Sequence, residues 1–165
     1  MKPLQVFLNN RPVGQLRPDK KRRFVFQYHR EYLGASDAHP LSLSLPLRES
    51  PFEEHLARPF FSNLLPEGYI RAIIAKFVRV SGKNDMAILE KIGGECAGAV
   101  SVLPEGLVPD TKGGYIRISR DELDSMMASD TDRPLLISRD ELRLSLAGAQ
   151  DKLPVFLIDA PGCNT

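Results

Sequence analysis

Residues 145 to 152 read SLAGAQDK. Ala147, Gly148 and Ala149 are small enough to let backbone N–H groups approach an anion, so the stretch has the physical character of a phosphate-binding turn. Its surroundings, LRLSLAGAQDKLPVFL from Leu142 to Leu157, read as strand, turn and strand. A small-residue hairpin turn therefore fits as well. The spacing G-x-x-x-x-G-K-[ST] is absent, and so is G-x-G-x-x-G, so neither common nucleotide fingerprint decides between the two.

Other chemistry-bearing residues give weaker patterns. Asp159 and Asn164 match the D-x-x-x-x-N spacing of a kinase catalytic loop, in which the carboxylate orients a hydroxyl and the amide holds magnesium. The six residues between Lys152 and Asp159 cannot build the lobe that separates such a loop from a phosphate loop, and chain-terminal coil explains the pair better. His29, His39 and His55 have no acid or cysteine at nucleophile-activating spacing. EEHLAR, Glu53 to Arg58, lacks the H-E-x-x-H order of a zinc helix and reads as a solvated helix start. Met126, Met127, Phe60 and Phe61 read as core filling.

Charge and cysteine usage narrow the field. With 22 basic and 21 acidic residues the net charge is +1, so no global field favours nucleic acid or an anionic membrane. The local exception is Arg17, Lys20, Lys21, Arg22 and Arg23 around Asp19, which reads as a solvated hairpin tip, with a phosphate or partner patch as the alternative. Cys96 and Cys163 are far apart and have no metal-ligand spacing, as expected of a reduced, cytoplasmic chain. The start MKPLQVFLNN carries no leader pattern, and no apolar run approaches the roughly 20 residues of a membrane span.

The elements that would position these residues are mixed. LQVFLNNRPVGQLR predicts two strands around a turn at Asn9-Asn10-Arg11, and RFVFQY a third, with Phe24, Phe26 and Tyr28 on one face and Val25 on the other. LSLSL, between Pro40 and Pro46, alternates and predicts a fourth strand. ARPFFSNLLPEG predicts a helix with Pro59 in its first turn and Phe60, Phe61, Leu64 and Leu65 on one stripe. Ile70, Ile73, Ile74, Phe77 and Val78 give the strongest helical spacing, ended by Ser81-Gly82. A helix from Asp85 to Ile92, capped by Asn84 and stopped at Gly93-Gly94, precedes a return to strand at AGAVSVLPEG. ISRDEL occurs twice: Ser119 and Glu122 of the first copy fit a capping box, while the second copy leads into the alternation of Leu142, Leu144 and Leu146.

Four phrases together resemble the HipA family of toxin serine/threonine kinases: PLSLSLPL (Pro40 to Leu47), FFSNLLPEG (Phe60 to Gly68), IGGECAGAVSVLPEG (Ile92 to Gly106) and RLSLAGAQDK (Arg143 to Lys152). The resemblance covers most of the chain, in the family's order. It implies an α+β fold: a small antiparallel β-rich, barrel-like N-terminal subdomain with packed helices, followed by the first hairpin of a kinase-like lobe. The corresponding division is residues 1–110 for the subdomain, 111–136 for a linker with a short helix, and 137–165 for an incomplete phosphate-loop hairpin. By the same resemblance Ser145 matches an autophosphorylation position. Ala147, Gly148, Ala149, Gln150, Asp151 and Lys152 match the loop over the nucleotide phosphates. Phosphate on such a serine would place nearly two negative charges where ATP phosphates sit and expel the loop.

The departure from the family lies after the hairpin, where IDAPGCNT is followed by no further catalytic elements. The expectation is a non-enzymatic module, with no cofactor of its own, whereas the complete family kinase takes ATP and magnesium. Its partners would be a HipB-like helix-turn-helix antitoxin or a separate HipT-like kinase chain, with self-association left open and direct DNA binding disfavoured. A natural short chain of this kind would be HipS- or HipN-like. The alternative is the front of a full kinase that phosphorylates a translation component. The apolar run Val155, Phe156, Leu157 and Ile158 calls for a covering partner in either case.

Overall fold

Asn9 and Asn10 both adopt left-handed backbone angles, with φ of 49° and 66°. Asparagine tolerates that region, and two such residues in succession make the hairpin turn whose twist suits the flanking strands. They join β1 (Leu4–Leu8) to β2 (Arg11–Pro18), with Leu8 opposite Arg11. The register shifts between Val6 and Phe7: Val6 faces Gly14 and Phe7 faces Pro12, so Val13 is the extra residue of a bulge. Beside the bulge a proline costs the ladder little.

The computed structural model describes residues 2–96, 99–109, 117–128, 137–138 and 141–142. β3 (Phe24–Tyr28) pairs antiparallel with β2, and β4 (Val100–Pro104) pairs antiparallel with β1. The sheet order is β3-β2-β1-β4, with the first and last strands in sequence side by side. Phe24, Phe26 and Tyr28 enter the core as their alternation predicts, and Val25 is buried as well. Gly14 lies beneath Phe26, where a Cβ would stand 2.7 Å from the ring and 2.5 Å from the Gln27 carbonyl. The ring occupies the space a side chain would need.

LSLSL is not the fourth strand. Leu45 N–H bonds the Ser42 carbonyl at 3.0 Å, so residues 42–45 form a tight turn with one isolated bridge. Leu41 and Leu45 point inward, Leu45 with no exposure, while Leu43 points out. Alternation alone cannot distinguish a strand from a turn that reverses the chain after two residues.

Four helices of the N-terminal part follow: α1 (Arg30–Leu33), α2 (Glu54–Ser62), α3 (Gly68–Phe77) and α4 (Asp85–Ile92). α2 begins at Glu54, where EEHLAR reads as a helix start, and so takes Pro59 into its interior instead of its first turn. Tertiary contact sets the start: Glu54 accepts the Phe24 backbone N–H and the Arg58 guanidinium. A carboxylate in a first helical turn also suits the helix dipole. Phe61 and Leu65 are buried, and Phe60 and Leu64 lie partly buried against the core.

α3 ends before Ser81-Gly82. Arg79 takes the left-handed conformation at φ 58°, Val80 N–H bonds the Ala75 carbonyl at 2.9 Å, and Val80 packs against the core. This is the usual helix-closing motif with arginine where glycine is common, held by the apolar residue after it. α4 matches its predicted bounds, with Asn84 Oδ1 accepting from Ala87 N–H at 3.1 Å. It runs on into a short 3-10 turn, Gly93–Glu95. A Cβ on Gly93 would stand 2.2 Å from the Val102 carbonyl, so the turn sits directly on β4.

The two ISRDEL copies take different structures. In the first, Ser119 Oγ accepts from Glu122 N–H at 3.2 Å and the Glu122 carboxylate accepts from Ser119 N–H at 2.8 Å, opening α5 (Arg120–Ala128). In the second, β5 (Ile137–Ser138) pairs antiparallel with β6 (Glu141–Leu142). Ile137 faces Leu142 and Ser138 faces Glu141, so strand is present at both ends of the copy and does not begin only at Leu142.

Candidate functional site

Ser145 and the stretch Ala147, Gly148, Ala149, Gln150, Asp151 and Lys152 lie outside the described residues, as do Cys163 and the Asp159–Asn164 pair. The described chemistry is concentrated in two other places: a carboxylate held between three helices, and a turn held by two tyrosines.

Asp85, the first residue of α4, is the one buried charged residue among those described, 7% exposed. It accepts from Ser62 Oγ at 2.7 Å and Arg58 Nε at 3.1 Å, both on α2, and from the Arg71 guanidinium on α3. Arg71 also donates to the Gly82 carbonyl at 2.7 Å, and Arg58 to Glu54 at 3.2 Å. Burial alone would raise the Asp85 pKa; the Ser62 and Arg71 hydrogen bonds and the two guanidinium charges outweigh it and hold the group below the usual carboxylate range. A carboxylate so held stays ionised and is a poor proton acceptor. Its chemistry is that of a clamp joining α2, α3 and α4 beside an open depression that His55 and Glu67 also line.

Sequence reading missed this cluster. Arg58 appeared as part of a solvated helix start, and Asp85 only as the beginning of a helix. The legible part of the signal was Arg58 and Ser62 at i and i+4 on one helical face. Their meeting with Arg71 and Asp85 is tertiary.

The second place is the turn over residues 41–45. Tyr28 Oη donates to the Leu45 carbonyl at 2.6 Å and accepts from Leu41 N–H at 2.8 Å, so one hydroxyl ties both ends together. Tyr32 Oη likewise donates to the His39 carbonyl at 2.8 Å and accepts from His39 N–H at 3.0 Å. The two rings lie nearly parallel with centroids 6.0 Å apart, and the Arg11 guanidinium sits 4.9 Å over Tyr32.

Burial pushes the Tyr28 hydroxyl up to about 12, partly opposed by the Leu41 N–H and helped by neighbouring Tyr32. An unfolded tyrosine titrates near 10. The folded chain thus keeps this proton to higher pH, and the stability it brings is complete below pH 10 and lost as the pH rises towards 12. Alkaline titration followed by circular dichroism should show stability falling above about pH 10, and Tyr28→Phe should flatten that fall while lowering neutral-pH stability by about 2 kcal/mol.

The remaining candidates resolve simply. Asp19 accepts backbone N–H groups from Lys21 and Arg23 and the Arg23 guanidinium, each at 2.8 Å, pinning the tip between β2 and β3 and leaving Lys20, Lys21 and Arg22 exposed. Those bonds, led by the Arg23 N–H, keep the Asp19 carboxyl low. The basic run is therefore a hairpin tip. Gln5 Nε2 lies 2.6 Å from His29 Nε2 and donates to the Gly14 carbonyl at 2.8 Å. Among the described residues no three His, Cys, Asp or Glu side chains converge as a metal site.

The sequence profile of the HipA N-terminal domain matches residues 4–103, which span the four-stranded sheet and the helices α1 to α4. The chain belongs to the HipA N-terminal domain family. It is 41% identical over 169 residues to the putative kinase Y4mE of Sinorhizobium fredii, covering 94% of this chain and 38% of that protein. It is 30% identical over 155 residues to the serine/threonine-protein kinase toxin HipA of Shewanella oneidensis, covering 93% of this chain and 35% of the toxin. An uncharacterized protein of Haemophilus influenzae is 36% identical over 101 residues, which are 61% of this chain but 91% of that protein.

Among solved structures, a chain from a complex of Shewanella oneidensis HipA, HipB and operator DNA superposes with a TM-score of 0.64. It shares 23% identity, over 83% of this chain and 30% of that one, and so bears on the fold. The α+β architecture matches the N-terminal region of that structure. The chain thus spans little more than a third of the kinase-named relatives it matches. No helix among the described residues is long and apolar enough to cross a membrane.

Proposed function

We propose that this chain is the N-terminal recognition and regulatory part of a HipA-type toxin–antitoxin kinase in the cytoplasm. It binds a HipB-like antitoxin or a separate HipT-like kinase chain and does not transfer phosphate by itself. The observation that carries this reading is the family match over residues 4–103, together with a Haemophilus influenzae protein that matches this chain over 101 residues, 91% of its own length. The described chemistry agrees: the buried carboxylate is consumed by Arg58, Ser62 and Arg71, in an arrangement that fixes helices together. Residues 1–110 form the module in this reading, 111–136 the linker, and 137–165 the beginning of the nucleotide site. Ser145 is then the phosphorylatable residue and Ala147 to Lys152 the phosphate loop, needing a further lobe, ATP and magnesium to act.

A second reading, the front of a full serine/threonine kinase toxin acting on a translation component, is favoured by one observation. The match to the Sinorhizobium fredii kinase takes in 94% of this chain, too much to be confined to residues 4–103.

Calorimetric titration of the purified chain with magnesium-ATP, alone and with a co-expressed HipB-like or HipT-like protein, separates these readings. A stable complex, with no ATP binding by the chain alone, is the expected result. Phosphate appearing on Ser145 of the isolated chain would overturn the non-catalytic assignment.

A further inference from the structure

Leu43 is 98% exposed, at the first corner of the turn over residues 42–45. Turn corners usually take Gly, Pro, Asn, Asp or Ser, whose backbone or side-chain chemistry forms the turn, so turn formation does not explain a leucine there. The core does not explain it either, since Leu41 and Leu45 already anchor the turn from within. A lone exposed leucine is ordinary on a protein surface. This one is held. Tyr28 Oη staples the backbone of Leu41 to that of Leu45, Ser42 Oγ lies 3.1 Å from Ser44 Oγ, and the run from Pro40 to Leu47 carries no charge. Leu47, also exposed, extends the apolar character of the same run.

We propose that this turn is a preformed anchor, and that Leu43 docks into an apolar pocket on the kinase core that follows this domain in the longer relatives. The inference rests on the kinase-module reading given above. A side chain already fixed in its bound position loses little freedom on docking. Magnitude selects the occupant: burying one leucine shifts an equilibrium roughly 10- to 100-fold, too little to hold a free partner even at millimolar concentration. It is enough to close a joint inside one polypeptide, where the effective concentration is already high. In the relatives matched over 93% to 96% of this chain, the matched part makes up 35% to 38% of the protein, so a much larger body shares the chain with the domain.

The test grafts the 165-residue chain in place of the matching segment of the Sinorhizobium fredii kinase and compares Leu43→Asp with the parent chimera and with Leu43→Ile. In the chimera, Leu43→Asp should abolish hydrogen-exchange protection at residues 41–45 that arises from docking and speed proteolysis between domain and core about 10-fold or more, while Leu43→Ile retains both. In the 165-residue chain alone, the same substitution should leave the melting temperature and exchange unchanged. An unaffected chimera overturns the proposal, as does an equal effect in the isolated chain, which would make Leu43 structural. A self-association of the isolated chain that Leu43→Asp dissolves would make the occupant a second copy and also overturn it.

If the chimera does not fold, the 165-residue chain is ligated through a flexible linker to the separately produced remainder of that kinase, which keeps the effective concentration high, and exchange at residues 41–45 is read on the tethered pair. Protection in the parent and none in Leu43→Asp is expected; no protection in either sinks the anchor. A domain that joins the core equally well with and without Leu43→Asp removes the anchor and leaves the module reading standing. No association in any format removes the module reading itself.

Discussion

Phe26→Ala is expected to lower the free energy of unfolding by about 4 kcal/mol, the range for deleting a fully buried aromatic ring. Phe26 has no exposure and meets three other rings: Tyr28 edge-on with centroids 4.8 Å apart, Phe61 at 5.3 Å and Phe52 at 6.0 Å. Alanine would leave a void between β3 and α2 that Gly14, having no side chain, cannot refill. Each neighbouring ring would also lose a partner whose geometry adds about 1 kcal/mol beyond area burial. Urea titration at neutral pH measures the effect, with an unchanged slope showing that the unfolded state is unaltered. Phe26→Leu, which keeps much of the volume, should cost about 1.5 kcal/mol. Equal losses for the two substitutions would show that the ring's shape, and not its volume, is what the site requires.

Asp85→Ala should cost about 3 kcal/mol, at the lower end of what breaking a buried ion pair costs. The lower end applies because Arg58 keeps half its side chain in water and regains solvation easily, whereas the Arg71 side chain is only 21% exposed and would be left facing Ser62 without a counter-charge. The dependence on pH has a definite sign. The folded carboxyl titrates below its unfolded value, so its stabilisation is complete above that value, near 3.9, and is lost as the pH falls through the folded pKa. The gap between the melting curves of the parent and Asp85→Asn should be full at neutral pH and should narrow as the pH is lowered below about 3.9. A gap that stays constant across this range would show that the loss comes from packing and not from ionisation.

Much of the fold was legible because local and tertiary requirements coincide. Asn9-Asn10 demands a hairpin, Phe24-Phe26-Tyr28 presents one face, and Asn84 and Ser119 cap helices where their side chains can reach the free N–H groups. Reading failed where tertiary contacts override a local pattern. LSLSL has the period of a strand, but the Tyr28 hydroxyl reaches it from 13 residues upstream and folds it into a turn. Pro59 lies inside α2 and not in its first turn because Glu54, which the backbone of Phe24 30 residues before it claims, already belongs to the helix. The site was least legible of all, since the Asp85 cluster joins residues 14 to 27 positions apart and no spacing rule covers such a meeting. The small-residue stretch from Ala147 to Ala149 illustrates the converse: its composition admits a phosphate turn or a plain hairpin, and no local rule separates them.

The pairing of Leu4 with Pro104 has a consequence for how the protein is made. During synthesis β1 emerges first and can form its hairpin with β2 at once, yet its other edge has no neighbour until about a hundred further residues have left the ribosome. Contacts of such separation slow folding, because the intervening chain must be ordered before they form. Until β4 arrives, the nascent chain displays the open flank of β1, with apolar Val6 and Phe7, to whatever lies near the exit tunnel. The last strand of the domain therefore acts as a latch, and a pause in translation before Val100 would prolong the interval in which two nascent chains can pair with each other instead of with themselves.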